Sequence, residues 1–139
     1  MKTIARHLIA ELYDCDVSVL SEVEPIRAAM LEAARVIGAT VVGEAFHRFT
    51  PHGVSGTVVI AESHLSIHTW PERGYAAIDI FTCGGLDPRP GCDYLKQALG
   101  ASSGRLQEIL RGLADELADH DTTLLPEDVQ VIARTGVAW

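Results

Sequence analysis

The sequence predicts an α+β fold: a two-layer sandwich with helices on one face of a mainly antiparallel β-sheet. Three observations predict it. One amphipathic helical repeat lies near the start. Four β-rich segments then follow one another with short breaks, and a second, shorter helix comes after them.

In chain order, His7 to Tyr13 suits a short strand. Ile26, Ala29, Met30, Ala33, Ala34 and Ile37 recur at spacings of three and four, which places them on one face of a helix. Ser21-Glu22-Val23-Glu24 reads as its capping box, with Pro25 near the first turn and Gly38 as the stop. Thr40–Phe49, Gly56–Ala61, His64–Trp70 and Tyr75–Cys83 are rich in β-branched or aromatic residues and bounded by Gly, Pro or polar residues, as strands are. Asp87-Pro88-Arg89-Pro90-Gly91 is a connector to a helix over about Cys92–Leu99, closed by Gly100. Beyond Ala101 two periods compete. Leu106, Ile109, Leu110 and Leu113 fit a helical face that Leu117 extends, yet Arg105–Arg111 also reads as a strand. Val129–Ala133 looks like a last strand.

A chain of 139 residues, 47% of them hydrophobic and 22% charged, forms a core and fits a single domain. Its modest size makes association with a second copy a natural way to bury more surface. The net charge of −8 and the lack of a basic patch argue against nucleic acid. Cys15, Cys83 and Cys92 form no CxxC pair, and their odd number does not suggest a disulfide framework. No leader-like start and no apolar run of ~18 residues is visible, so the expectation is a soluble cytoplasmic protein outside the membrane.

Chemistry concentrates in Ala61-Glu62-Ser63-His64-Leu65-Ser66-Ile67-His68-Thr69-Trp70-Pro71-Glu72. A Ser at a strand-to-strand junction with histidines nearby suggests an activated hydroxyl. Alternation puts His64, Ser66, His68 and Trp70 on one face of the strand, and that face is half polar, as a solvated one is. This run, with Gly74-Tyr75-Ala76-Ala77-Ile78-Asp79-Ile80-Phe81-Thr82-Cys83-Gly84, Arg6-His7-Leu8, Phe46-His47-Arg48-Phe49 and Gly53-Val54-Ser55-Gly56, resembles the prokaryotic S-adenosylmethionine decarboxylase proenzymes from about Arg6 to Leu99.

The resemblance implies a self-processing, pyruvoyl-dependent decarboxylase. Ser63 would attack the carbonyl of Glu62, and elimination from the resulting ester would leave chains 1–62 and 63–139. Residue 63 becomes the covalent pyruvoyl cofactor, which takes the substrate amine as a Schiff base and accepts electrons as carbon dioxide leaves. Ser55 and His68 match residues implicated in processing, with His68 handling the proton. Cys83 matches the proton donor in turnover. Phe49 and Trp70 could stack on an adenine or face a sulfonium, and Glu72 could hold polar substrate atoms. The implied product serves spermidine and other polyamine synthesis, and the implied assembly is a homodimer with active sites near its interface. The resemblance also favours the strand over the helix at Arg105–Arg111, since Glu108-Ile109-Leu110-Arg111-Gly112 keeps an E-x-x-R-G pattern. From Leu113 to Trp139 the chain is not a close match to the family and is longer than expected.

Other readings stand beside this one. The same family includes pyruvoyl enzymes that decarboxylate L-ornithine or L-arginine, and the motif is indifferent to the side chain bound. A non-catalytic regulatory relative would be expected to lack Ser63, His68 or Cys83, and all three are present. Singly, a junction Ser is usually a turn residue, a strand His a solvated one, a lone Cys a buried small hydrophobe and an aromatic a core residue. His64 and His68 lie four apart, but the zinc motif needs that spacing on a helix with Glu after the first His, so no metal is expected. Asp115, Glu116, Asp119 and Asp121 read as a solvated surface.

Overall fold

The computed structural model describes residues 3–113 and 133–139. Its strands are β1 (Thr3–Tyr13), β2 (Thr40–Arg48), β3 (Val54–Ala61), β4 (Ser63–Trp70), β5 (Tyr75–Cys83), β6 (Ser103–Leu113) and β7 (Ala133–Ala138). Helices α1 (Val17–Leu20) and α2 (Val23–Val36) follow β1, and α3 (Arg89–Ala98) joins β5 to β6. The strands form one sheet in the order β2-β3-β4-β5-β1-β6-β7. Every neighbouring pair is antiparallel.

Alternation along the strands sorts the side chains. Leu8, Ala10 and Leu12 of β1, Leu65 and Ile67 of β4, and Ile78 and Ile80 of β5 join Ile26, Met30 and Ala33 of α2 and Leu95 of α3 in one buried core. Each large apolar side chain so buried contributes roughly 1.5–3 kcal/mol. The odd residues of β5 and the even residues of β4 lie on the opposite face, half-buried or exposed. The expected two-layer α+β sandwich is therefore the observed one. No helix among the described residues is long and apolar enough to cross a membrane.

Local chemistry explains the differences from expectation. The capping box does not form: the Ser21 hydroxyl donates to the Val17 carbonyl, 2.6 Å away, and closes α1 instead. Asp16 caps α1 by accepting from the Ser18 amide at 2.9 Å, and the α2 cap, Glu22, makes no side-chain bond. Gly38, with φ of 78°, ends α2 as expected because that backbone region suits glycine. The ambiguous stretch after Ala101 is a strand. Ten β1–β6 residue pairs from Thr3↔Leu113 to Tyr13↔Ser103 supply what a lone helix could not, a hydrogen-bonding partner for the free edge of β1. The expected last strand lies outside the described residues except for Ala133, where β7 begins. Leu117 and the acidic group Asp115, Glu116, Asp119 and Asp121 also lie outside them. β7 extends the sheet beyond β6, and Trp139 anchors its end by donating to Asp93 at 3.0 Å.

Candidate active site

β3 and β4 form a tight hairpin, with Ile60 opposite Ser63 and only Ala61 and Glu62 between them. Ser63 is held at φ 105°, a region that L side chains rarely adopt. Such a conformation costs about 1–3 kcal/mol and persists only where the surroundings impose it. On its other side Ser63 pairs with Thr82 of β5, so Cys83 is the next residue along that neighbouring strand. Glu62 and Cys83 line one cleft of about 350 Å³ with Gly38, Ala61, Gly84 and Leu86. Cys83 is half-buried. The other two thiols are buried, and burial raises Cys15 to about 11 and Cys92 to about 12. Of the three, Cys83 alone has access to a cleft.

A second group lies at the far end of the same hairpin. Ser55 faces His68 across β3–β4, and its Oγ lies 2.8 Å from His68 Nδ1. Trp70 stacks on Tyr75 with ring centroids 5.2 Å apart, and Phe49 meets His47 edge-on at 4.6 Å. Glu72 is exposed in the single turn Pro71–Arg73. At ~3.3 Å per residue, the five steps from Ser63 to His68 span about 16 Å. Within one chain the fold therefore joins Ser63 to Cys83 and Ser55 to His68, but does not join the two pairs.

Between them lies a cluster that the sequence did not single out. Asp79 of β5 accepts from His7 Nε2 of β1 at 2.6 Å, from His64 Nε2 of β4 at 3.0 Å, and from the Ser66 hydroxyl. Arg111 of β6 lies 3.3 Å from His7 Nδ1, and its guanidinium stands 5.1 Å from the Phe81 ring centre. Burial pushes the Asp79 carboxyl up, but the His7 and His64 hydrogen bonds outweigh it and hold the group below its ordinary value. The donor atoms of His7, His64 and Asp79 lie within 4.8 Å of one another, close enough to suggest a metal. Arg111 argues otherwise. A guanidinium only donates, so His7 Nδ1 accepts and Nε2 of the neutral ring carries hydrogen toward Asp79 where a metal would need a lone pair. His64 and His68 share a face, but at four strand residues they are about 13 Å apart, too far to share an ion. Alternation along β1 was the available signal for the cluster: His7 and Glu11 are polar residues on the face that also carries Ala5 and Ile9.

A sequence model of S-adenosylmethionine decarboxylase matches residues 6–112. The chain belongs to the S-adenosylmethionine decarboxylase family. It is 55% identical over 118 residues to an S-adenosylmethionine decarboxylase proenzyme of Thermosipho africanus, covering 84% of this chain and 91% of that one. Against the proenzyme of the same description from Thermotoga maritima, identity is 53% over 129 residues, or 92% and 95% of the two chains. The fold matches a crystal structure of the adenosylmethionine decarboxylase from Aquifex aeolicus with a TM-score of 0.76 at 33% identity, covering 89% of this chain and all of the other. Family membership thus places both residue groups of the β3–β4 hairpin inside the matched segment. β7 lies beyond it.

Proposed function

We propose that this chain is a carboxy-lyase that decarboxylates S-adenosylmethionine, after cutting itself between Glu62 and Ser63 to form its own pyruvoyl group. The carrying observation is the strained Ser63 beside Cys83, in a chain that shares half its residues with proenzymes of that activity. The alternatives, ornithine or arginine decarboxylation, are not favoured by these relatives.

In processing, Ser63 Oγ attacks the Glu62 carbonyl carbon. A C–O bond forms, the C–N bond breaks, and the hydroxyl proton passes to the freed Ser63 nitrogen. Loss of the Ser63 α-proton then expels the Glu62 carboxylate and leaves dehydroalanine. Addition of water and loss of ammonia complete residue 63. The strain at φ 105° favours the first step, because an ester at Oγ frees the backbone from that conformation. The finished pyruvoyl group supplies a ketone for the substrate amine and a sink for the electron pair left by carbon dioxide. Cys83, one residue beyond the Thr82 that pairs with Ser63 and on the cleft that Glu62 lines, returns a proton to the carbon that lost carbon dioxide.

His68 completes this scheme only from another chain. Two copies packed antiparallel through their core-free faces bring Ser63 and Cys83 of one against Ser55 and His68 of the partner. The Ser55–His68 bond orients the imidazole for proton transfer. Trp70, Phe49 and Glu72 arrive with it and form the nucleoside side of the pocket, the aromatic contacts contributing about 1 kcal/mol each. The assembly is a homodimer with two equivalent sites.

The test is intact mass after purification, joined to carbon dioxide release from S-adenosylmethionine, ornithine and arginine. Fragments 1–62 and 63–139 are expected, the second blocked to amino-terminal sequencing, and one unbroken chain for Ser63→Ala. S-adenosylmethionine should exceed both amino acids by at least about tenfold in kcat/KM, and Phe49→Ala should hurt it far more than a small amino acid. A wild-type chain that stays whole refutes the processing, and preference for ornithine or arginine refutes the substrate.

A further inference from the structure

Ser63 keeps an unfavourable backbone at the start of a strand, and something must hold it there. Its pairing with Ile60 of β3 on one edge and Thr82 of β5 on the other places its backbone in the sheet. The side chains that follow it supply the rest. His64 and Ser66 are the first and third residues after Ser63, and both bind one carboxylate on the neighbouring strand. His64 Nε2 donates to Asp79 Oδ2 at 3.0 Å, and the Ser66 hydroxyl donates to Oδ1. Asp79 is itself fixed from the far side by His7 Nε2, 2.6 Å from the same Oδ2. Arg111 holds the His7 ring through Nδ1, and Phe81 packs against both imidazoles with centroids at 4.9 Å and 5.8 Å. Four strands, β6, β1, β5 and β4, contribute to this one chain of contacts.

The polarity of every bond in the chain is determined. Arg111 can only donate, so neutral His7 presents Nε2–H to Asp79. The carboxylate can only accept, so His64 also presents Nε2–H. Asp79 therefore meets three donors with its two oxygens, and an amide in its place would bring an N–H against a neighbour that is already a donor.

We propose that Asp79 is a positioning residue for self-cleavage: its grip on His64 and Ser66, backed by His7 and Arg111, holds the Glu62-Ser63 junction in the strained form that reacts. This rests on the reading that the chain cleaves itself at that junction. A wild type that stays whole refutes that reading. A wild type that cleaves beside variants that cleave equally well refutes this one.

The test follows the appearance of fragment 63–139 by intact mass in freshly folded full-length chains. Asp79→Asn should slow it about tenfold to a hundredfold, the range expected when one hydrogen bond to a charged group is lost from the reactive form. His64→Leu fills the same space without a donor and should be equally slow. His64→Gln places an N–H where Nε2–H stood and should recover cleavage to within about threefold of wild type. Neither side-chain volume nor an imidazole that carries protons predicts this recovery. Ile26→Val, a small core truncation in the helical layer, should lower thermal stability yet leave the cleavage rate unchanged. Wild-type rates in Asp79→Asn, equal slowing in His64→Gln and His64→Leu, or slowing in Ile26→Val to match Asp79→Asn would each overturn the proposal.

Discussion

Removing Ser63 from one chain and His68 from another tests whether the site is built from two copies. Five steps of extended strand separate the pair by about 16 Å, whereas proton transfer needs heavy atoms about 3 Å apart. His68 cannot close that gap by rotation, since an imidazole reaches only a few ångströms from its own backbone. In a two-fold dimer of Ser63→Ala with His68→Ala, one site lacks both residues and the other lacks neither. The His68→Ala chain in that dimer carries an intact Ser63 and faces an intact His68 of the partner subunit. Random pairing at equal amounts makes about half of all dimers mixed, so about half of the His68→Ala chains should be cleaved at the wild-type rate. Alone, His68→Ala should cleave about 10²–10⁴-fold more slowly, the usual contribution of an acid–base group. Tags of different mass on the two chains, co-expressed and resolved by intact mass, read this directly. If His68→Ala yields no more fragment in the mixture than alone, the two-chain site is wrong. If it cleaves at the wild-type rate alone, His68 has no part in processing.

Three other outcomes follow from the described contacts. Cys15 and Cys92 are buried, with burial raising them to about 11 and about 12, so iodoacetamide at pH 8 should label one thiol per folded chain quickly. That label should vanish in Cys83→Ala, with kcat falling about 10²–10⁴-fold; fast labelling that survives the substitution would remove Cys83 as the accessible thiol. In Gly56→Ala the new methyl group would overlap the Phe46 ring, which lies over Gly56 on the adjacent strand, so stability should fall about 1–3 kcal/mol as a lower denaturant midpoint with unchanged m. Asp79 is held below its ordinary value, so its stabilisation is complete above that value and is lost as the pH falls through the lower folded one. In an uncleaved Ser63→Ala background, the stability gap to the Asp79→Asn double variant should be full at neutral pH and close in acid; a gap that widens in acid would contradict the sign.

The sequence carried the elements whose periods are unambiguous. α2 keeps its apolar stripe through four turns, and β3, β4 and β5 alternate cleanly between core and open face, so their limits were read to within a few residues. β6 was ambiguous because Leu106, Ile109, Leu110 and Leu113 satisfy both a helical and an extended pattern. Only the free edge of β1, more than ninety residues earlier, decides between them. The start of α2 failed for a local reason. Asp16 offers a cap five residues before Ser21, and the chain spends Ser21 on closing the short helix that Asp16 begins.

The site divides in the same way, and the division is informative about how it works. The Glu62-Ser63 junction, Cys83 and the Ser55–His68 pair could all be named from a linear motif. The separation between them was also implicit there, because neighbours in an extended strand move apart by ~3.3 Å with every residue. An extended strand holds Ser63 and His68 apart, and the proposed two-chain site is what would close that distance. The Asp79 cluster had no such signature. His7 lies 72 residues from Asp79 and 104 from Arg111, and only the order β4-β5-β1-β6 makes them neighbours. Its physical role follows from where it sits. A residue held at φ 105° gains nothing locally from that conformation, so the restraint must come from groups that are already fixed. β5 is paired along both edges at the centre of the seven-stranded sheet, and Asp79 ties the residues after Ser63 to it.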